Sequence, residues 1–319
     1  MKKNRNPGCI QTAILSCVFL FSGFSSYAQS EPYTGPIIDM HVHAYRQASR
    51  MFGITYQNPI TGKTYATTPD LESHREWTFK KMQEHRIVKA VVNYHPDWYV
   101  QDPDRVLIGL GTAEPDTLRR MYEAGRLHVM GEMTAYYDGL QADDPELEPY
   151  FELAESLGIP VGYHIFPGGP PGGMYMGFPG IRAANADPMQ IERVLVSHPK
   201  LKIYIMHAGW PYLEDMKALM YAHPQLYVDI GVISWNLPRA EFHAYLKALV
   251  DAGFGKRILY GTDQMAFKGS FDQAIENVNT AGFLSLEQKA DIFYNNAAEF
   301  LGLSPEEVRA HKQEGGNGK

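Results

Sequence analysis

Short apolar runs recur along the chain and alternate with longer stretches in which apolar residues follow a helical period. Short runs bounded by turn residues indicate buried strands, and their alternation with amphipathic helices indicates a parallel sheet built from βα units. Eight strands are predicted, over 37–41, 90–93, 106–109, 128–130, 161–164, 203–206, 226–229 and 258–260. Eight units of roughly 28 residues each fit one α/β domain, a single (β/α)8 TIM barrel.

Helices and long loops fill the intervals between the predicted strands. Helices are predicted over 69–83, 146–157 and 188–197, among others. Thr68 is the expected N-cap of the first of these, with Pro69 at its first position. Two connections, 44–68 and the Gly/Pro-rich 166–180, are longer than the few residues that are usual in such units. Both follow the carboxyl ends of strands, so we expect them to lie over the mouth of the barrel.

Residues 1–28 have the composition of an export signal and are set apart from the fold. Lys2, Lys3 and Arg5 precede an apolar run over 14–21, and Ser26-Tyr27-Ala28 supplies small residues at the positions that a signal peptidase reads. The run is too short for a transmembrane span of roughly 20 residues. We therefore predict export to the periplasm or the medium, no membrane insertion after signal removal, and one barrel domain over 29–319.

Cysteine content and charge exclude several functional classes. Cys9 and Cys17 both lie in the predicted signal, so the remaining chain has no thiolate nucleophile and no disulfide. The signal also holds three basic and no acidic residues, which leaves 26 Lys and Arg against 36 Asp and Glu, a net charge of −10. An acidic chain without basic runs argues against nucleic acid or an anionic membrane as partner. A small-molecule substrate is the expected partner, and homo-oligomerisation stays open.

The segment "PIIDMHVHAYR", residues 36–46, places two histidines one residue apart at the end of the first predicted strand. Residues i and i+2 of an extended segment point to the same side, so the imidazoles of His41 and His43 converge. A metal ion is one ligand that such a pair suits. The pair alone is weak evidence, because it needs partners elsewhere in the chain.

Further potential metal ligands follow four other predicted strands. They are Glu132, His164, His207 and Asp263, after the fourth, fifth, sixth and eighth strands. The carboxyl ends of barrel strands share one rim, so four imidazoles and two carboxylates are expected to meet there. Such a set suits a divalent ion, zinc first, with manganese, iron or nickel also compatible by residue type. Other histidines (His74, His85, His198, His223 and His243) fall in helices or at their ends, where a surface position is expected.

The chemistry of this rim follows from the properties of a divalent ion. An ion with an open position lowers the pKa of water and so provides a nucleophile at neutral pH. Asp263 is the natural general base, and it is also a candidate weak ligand.

In this order, the motifs resemble the amidohydrolase superfamily, and within it the amidohydrolase-related group, also called amidohydrolase family 2. The matching pieces are "DMHVH", "GEM", "ADDPELEPYFELAESLGIPVGYH", "HAGWP", "YGTD" and "IFYNNAAEFLGL". The resemblance covers nearly the whole chain after residue 28. It implies a metal-dependent (β/α)8 barrel whose usual ligands match His41, His43, His164 and Asp263. It also implies that His207 binds the metal or orients water or substrate.

The role of Glu132 determines whether the predicted site holds one metal ion or two. Some relatives in the resembled group hold two metals through a bridging carboxylate after the fourth strand, whereas others hold one. We favour one ion over two. The carboxylated lysine of other superfamily members is not indicated, because no lysine follows the fourth strand.

The resembled group contains hydrolases of amides, esters and lactones as well as decarboxylases and hydratases of carboxylated aromatic or dienoate compounds. Many of its decarboxylases resemble one another in a glutamate where this chain has Asp39, or in His-x-Gly-Glu after the sixth strand. This chain has His207-Ala208-Gly209-Trp210 there. The departure favours a metal-dependent hydrolase, with a metal-dependent decarboxylase as the alternative and a non-enzymatic binding barrel ranked last.

Aromatic residues are expected to surround the metal and to favour an aromatic or carbocyclic substrate. They are Tyr94, His95, Trp98, Phe166, Trp210, Tyr212 and Trp235. Among these, Tyr94, His95, Phe166 and Trp210 are predicted to contact the substrate. Arg46 is predicted to hold a substrate carboxylate.

Overall fold

The computed structural model describes Met1 and residues 31–313, except residues 94, 112 and 170–172. Nearly all of the predicted export signal, and the predicted substrate contact Tyr94, therefore lie outside the described residues. In the described part the strands are β1 (Ile37–His43), β2 (Thr55–Gln57), β3 (Thr64–Ala66), β4 (Ile87–Asn93), β5 (Val106–Gly109), β6 (Met130–Met133), β7 (Val161–His164), β8 (Ile203–Met206), β9 (Leu226–Asp229) and β10 (Ile258–Leu259).

Eight of these strands form a parallel ring. One sheet has the order β1-β4-β5 and the other has the order β10-β9-β8-β7-β6. The Leu110 N–H donates to the carbonyl of Val129 at 3.1 Å, which joins the β5 end of one sheet to the β6 side of the other. The Met40 N–H donates to the carbonyl of Tyr260 at 2.9 Å, which joins β1 to the β10 side. The predicted α/β barrel is thereby confirmed.

The helices are α1 (Leu71–Glu84), α2 (Pro96–Gln101), α3 (Pro115–Glu123), α4 (Glu148–Leu157), α5 (Glu192–Ser197), α6 (Leu213–Ala222), α7 (Ile233–Asn236), α8 (Arg239–Asp251), α9 (Ser270–Asn279), α10 (Leu286–Ala290), α11 (Asn296–Leu301) and α12 (Pro305–Gln313). A π-helical segment, Asp291–Asn295, joins α10 to α11. Among the described residues, none of the helices is both long enough and apolar enough to cross a membrane.

The strands of the ring are covered on both faces. Every residue of β5, β6, β7 and β8 is buried. A parallel sheet with helices outside and a filled interior has this pattern, and its strands read as nearly continuous apolar runs. This is why the sequence pattern located the strands well.

Several predicted element bounds are wrong in detail. The first helix begins at Leu71, because the Asp70 side chain accepts a hydrogen bond from the Ser73 N–H at 2.8 Å and caps it. Thr68 is not the cap, since its hydroxyl pairs with His74 Nδ1 at 3.4 Å. The fourth ring strand is Met130–Met133, which places Glu132 inside the strand. The helix predicted over 188–197 is a 3-10 turn, Pro188–Ile191, followed by α5.

The long connection 44–68 contains a hairpin that the sequence pattern did not predict. Strands β2 and β3 pair in antiparallel fashion there. The Asn58 side chain donates to the carbonyl of Asn236 at 2.7 Å, and the Tyr65 hydroxyl donates to the carbonyl of Trp235 at 3.2 Å. The hairpin is therefore fixed to α7. Residues of both long connections line the cavity over the strand ends, as predicted.

Candidate metal centre

The six predicted metal-site residues come together at the carboxyl ends of the strands. Three overlapping groups have potential ligand atoms within 4.8 Å of one another. They are His41, His43 and Glu132; His41, His207 and Asp263; and Glu132, His164 and His207. The groups share residues, so they form one continuous cluster.

Two carboxylates face the paired histidines of β1. Asp263 Oδ1 lies 2.8 Å from His43 Nε2 and 3.7 Å from His41 Nε2. Glu132 Oε2 lies 3.6 Å from His43 Nε2 and 3.8 Å from His41 Nε2. His41 is fully buried, and its Nε2 has no hydrogen-bond partner among the described residues. A buried nitrogen without a partner, facing two carboxylates, fits a cation site.

Glu132 also reaches the other half of the cluster. Its Oε1 lies 2.5 Å from His164 Nδ1, and His164 Nδ1 lies 3.1 Å from His207 Nε2. The His207 Nδ1–H donates to the carbonyl of Gly231 at 3.0 Å. A carbonyl only accepts, so the proton of His207 is on Nδ1 and its Nε2 offers a lone pair to the cluster.

The charges of the cluster depend on one another. Burial alone would raise the pKa of Asp263, but His41 and His43 lower it to about 2. Burial alone would also raise the pKa of Glu132, but His164 and His41 hold it well below its usual value. Burial lowers the pKa of His207 to about 4. Two ionised carboxylates beside a neutral imidazole are the donor types that a divalent ion needs.

Burial alone would lower the pKa of His41, but Asp263 and Asp229 raise it well above its usual value. Asp229 ends β9 and was not predicted as a site residue. Its Oδ2 lies 3.1 Å from His41 Nδ1. Its position could have identified it, because it is an acidic residue at the carboxyl end of a strand, where the predicted ligands also lie.

The backbone of His43 is held by two side chains that the sequence analysis did not assign to the site. Gln264 pairs with both polar groups of this residue, accepting from the His43 N–H at 2.8 Å and donating to the His43 carbonyl at 2.7 Å. His74 Nε2 also donates to this carbonyl at 2.9 Å. Neither residue follows a pattern that sequence alone connects to His43.

The expected surface position is wrong for His74 and His198. His74 is fully buried and packs its ring near Tyr45 and Trp98, and burial lowers its pKa to about 4. It is buried because α1 turns this face towards the loop that follows β1. His198 is buried between Glu148 and Glu155, with nitrogen-oxygen distances of 3.2 and 3.3 Å.

A cavity of about 730 Å³ lies over the cluster. Its wall includes Arg46, Arg50, Tyr137, Phe166, Phe178, Trp235 and Phe267, together with His43, Glu132, His164, His207 and Asp263. A second cavity of about 420 Å³ adjoins it, because Phe166 and Asn236 line both. A wall that combines several aromatic rings with a few polar and charged groups suits a small organic molecule.

The predicted substrate contacts fall in different places. Arg46 and Phe166 line the main cavity, and the Phe166 ring lies 4.8 Å from that of His207. Trp210 lines the second cavity, and its Nε1–H donates to Glu241 at 3.1 Å. His95 is not among the described residues that line either cavity, and its ring lies 6.2 Å from that of Trp98.

Solved structures with this fold include proteins of several activities. An uncharacterized TIM-barrel protein from Bordetella bronchiseptica is 20% identical, with a TM-score of 0.59 and coverage of 84% of this chain and 98% of that one. A "probable 2-pyrone-4,6-dicarboxylic acid hydrolase" from Acinetobacter baumannii is 15% identical, with a TM-score of 0.57 and coverage of 84% and 99%. A 5-carboxyvanillate decarboxylase from Sphingomonas paucimobilis is 14% identical, with the same TM-score and coverage.

Among curated proteins, the chain matches Protein fluG from Emericella nidulans, with 21% identity over 91 residues. The match covers 28% of this chain and a tenth of that protein's length. The amidohydrolase family model, Amidohydro_2, matches residues 38–303. This match includes all six residues of the cluster. The chain therefore belongs to the amidohydrolase family and is a metal-dependent, hydrolase-like enzyme.

Proposed function

We propose that this protein is an exported hydrolase that uses a divalent ion to cleave an amide, ester or lactone bond in a small molecule. The observation that carries the proposal is the buried Nε2 of His41, which lacks a hydrogen-bond partner among the described residues and faces the carboxylates of Asp263 and Glu132. His41, His43, His164 and Asp263 would hold one ion, zinc first, with Glu132 and His207 beside it.

The ion would supply Lewis acidity, which polarises a carbonyl and lowers the pKa of water. The chain supplies the proton transfer. Asp263 is ionised at neutral pH, so it accepts the proton of the attacking water and returns it to the leaving group. The rings of Tyr137 and Phe166 line the cavity, and Arg46 would orient a carboxylate of the substrate from the cavity wall.

Two positions favour hydrolysis over decarboxylation. Asp39 is fully buried and hydrogen-bonded to Thr262 and to the His41 N–H, and it does not line either cavity. Trp210 places an indole, and no carboxylate, three residues after His207. Many decarboxylases of the group that the sequence resembles carry glutamate at one or other of these positions. Decarboxylation of an aromatic or dienoate acid remains the alternative outcome of the test below.

The test combines metal analysis with a substrate screen. Protein purified without added ions is expected to contain about one metal per chain, to lose turnover on chelation and to regain it with zinc or manganese. Turnover of esters, lactones or amides in ¹⁸O-water should place one ¹⁸O atom in the product. Release of carbon dioxide from aromatic acids without ¹⁸O uptake would favour the alternative. Wild-type metal content in both His41→Ala and Asp263→Ala would overturn the assignment.

Export is tested separately by the mass of the protein recovered from the producing cells. Cleavage after Ala28 would leave a chain that begins at Gln29. The support for this part of the proposal is the composition of residues 1–28 alone. Recovery of the full-length chain in the cytoplasm would contradict it.

Arg46 gives a prediction about substrate choice. For a carboxylated substrate from the screen, Arg46→Met should lower kcat/KM by about 10- to 100-fold, the range expected for loss of a hydrogen bond to a charged group. Arg46→Lys keeps the charge and should lose less. An uncharged analogue of the same substrate should be turned over equally by all three proteins. An equal loss on both substrates would show that Arg46 does not read the carboxylate.

A further inference from the structure

Asp229 touches two of the candidate metal-binding histidines at once. It is fully buried at the end of β9. Its Oδ2 accepts from the Nδ1–H of His41 at 3.1 Å. Its Oδ1 accepts from the backbone N–H groups of His207 at 2.9 Å and of Gly231 at 2.8 Å. One carboxylate thus uses both oxygens on groups that border the cluster.

The bond to His41 fixes the tautomer of that imidazole. An ionised carboxylate only accepts, so the proton of neutral His41 lies on Nδ1 and the lone pair lies on Nε2. Nε2 is the atom that faces Glu132 and Asp263. A carboxylate behind a metal-binding histidine sets ring orientation and tautomer in this way.

The bonds to His207 and Gly231 fix the second imidazole through the backbone. His207 and Ala208 adopt φ of +62° and +51°, a left-handed conformation that side chains other than glycine rarely take. The His207 N–H bond to Asp229 holds the start of this turn. Asp229 also fixes Gly231, whose carbonyl accepts from the Nδ1–H of His207. The lone pair of His207 Nε2 is thereby directed towards His164.

We propose that Asp229 is a positioning residue that presents Nε2 of His41 to a divalent ion and holds His207 in place beside the ion, without binding the ion itself. The inference rests on the proposed metal site, and it assigns a role to Asp229 at the end of β9, which is not one of the proposed ligands. It follows from the three hydrogen bonds of one buried carboxylate.

Asp229→Asn is the sharpest test. The amide keeps an oxygen for the two backbone N–H groups, but it places an NH₂ donor opposite His41 Nδ1. His41 must then carry its proton on Nε2, where it blocks the metal. Zinc affinity, measured by competition with a chromophoric chelator, should fall by about 10- to 100-fold. The imidazole ¹⁵N shifts of His41 should report the changed tautomer.

Asp39→Asn is the matched control. Asp39 is also a fully buried carboxyl beside the cluster, but it bonds to Thr262 and to the His41 backbone and not to an imidazole ring. This variant should keep wild-type zinc affinity.

Gly231→Ala is a second variant, and it leaves the charge of Asp229 in place. It crowds the bond between Asp229 and His41, because a Cβ at Gly231 would lie 2.9 Å from His41 Nδ1 and 3.0 Å from Asp229 Oδ1. It should also weaken zinc binding.

The outcomes separate this inference from the proposed function. No zinc binding by the wild-type protein would overturn the proposed function. Wild-type affinity in folded Asp229→Asn, with zinc bound by the parent, would overturn the positioning role alone. Should Asp229→Asn not fold, unchanged affinity in Gly231→Ala would overturn it instead.

Discussion

Asp263→Asn should lower kcat by about 10³-fold, a loss of about 4 kcal/mol of transition-state stabilisation. The amide has almost the same shape as the carboxylate but cannot take a proton from water at neutral pH. His41 and His43 lower the pKa of Asp263 to about 2, so its carboxylate carries no proton at neutral pH and is open to accept one. Steady-state kinetics on a substrate from the screen, with saturating zinc, measures the loss.

Two further measurements make the Asp263 result interpretable. Circular dichroism should show a folded barrel, since the Asp263 N–H bond to the His41 carbonyl at 2.7 Å does not involve the side chain. Asp39→Asn should keep wild-type kcat, because Asp39 lines neither cavity. Wild-type turnover by metal-loaded Asp263→Asn would exclude Asp263 as the general base.

Gly111→Ala should destabilise the folded protein by about 3 kcal/mol, the upper part of the range for overpacking a buried site. A Cβ at Gly111 would lie 2.8 Å from the Met133 backbone nitrogen and closer still to the carbonyl carbon and oxygen of Glu132. These are backbone atoms of β6, so relief requires the strand to move. Urea unfolding followed by circular dichroism measures the change.

Gly282→Ala is the control for this second prediction. Apart from Gly282 itself and its two chain neighbours, no heavy atom of the described residues would lie within 4 Å of the added Cβ, and the backbone needs no left-handed φ. We expect a change of less than about 1 kcal/mol, in the stabilising direction if the unfolded chain loses freedom. The Gly111 variant should also bind zinc more weakly, since moving β6 moves Glu132. Equal stability of the two variants would contradict the close approach at Gly111.

The sequence predicted the ring and the six clustered side chains for the same physical reason. Strands buried on both faces are nearly continuous apolar runs, so polar residues at their carboxyl ends stand out. His164 directly ends such a run, and His207 and Asp263 follow others closely. The fold of the barrel then brings them together without any further information in the local sequence.

The residues that support the cluster could not be predicted in this way. His74 lies in a helix with ordinary spacing, and only its packing under the loop after β1 brings its ring to the His43 carbonyl. Gln264 is a polar residue next to Asp263 without a motif of its own. The hairpin of β2 and β3 escaped prediction because its strands are three residues long and mostly exposed. Such roles arise from tertiary contacts, which local patterns do not report.

The first and last strands of the ring meet at the cluster, and this has a consequence for the order of events during folding. The His43 N–H bonds to Gln264 across 221 residues of sequence, and Asp39 bonds to Thr262 across 223. Contacts of such long range form late, after the chain between them has been ordered. A nascent chain that has not yet produced β10 therefore lacks a complete ligand set, and metal acquisition is expected to be the final step of maturation.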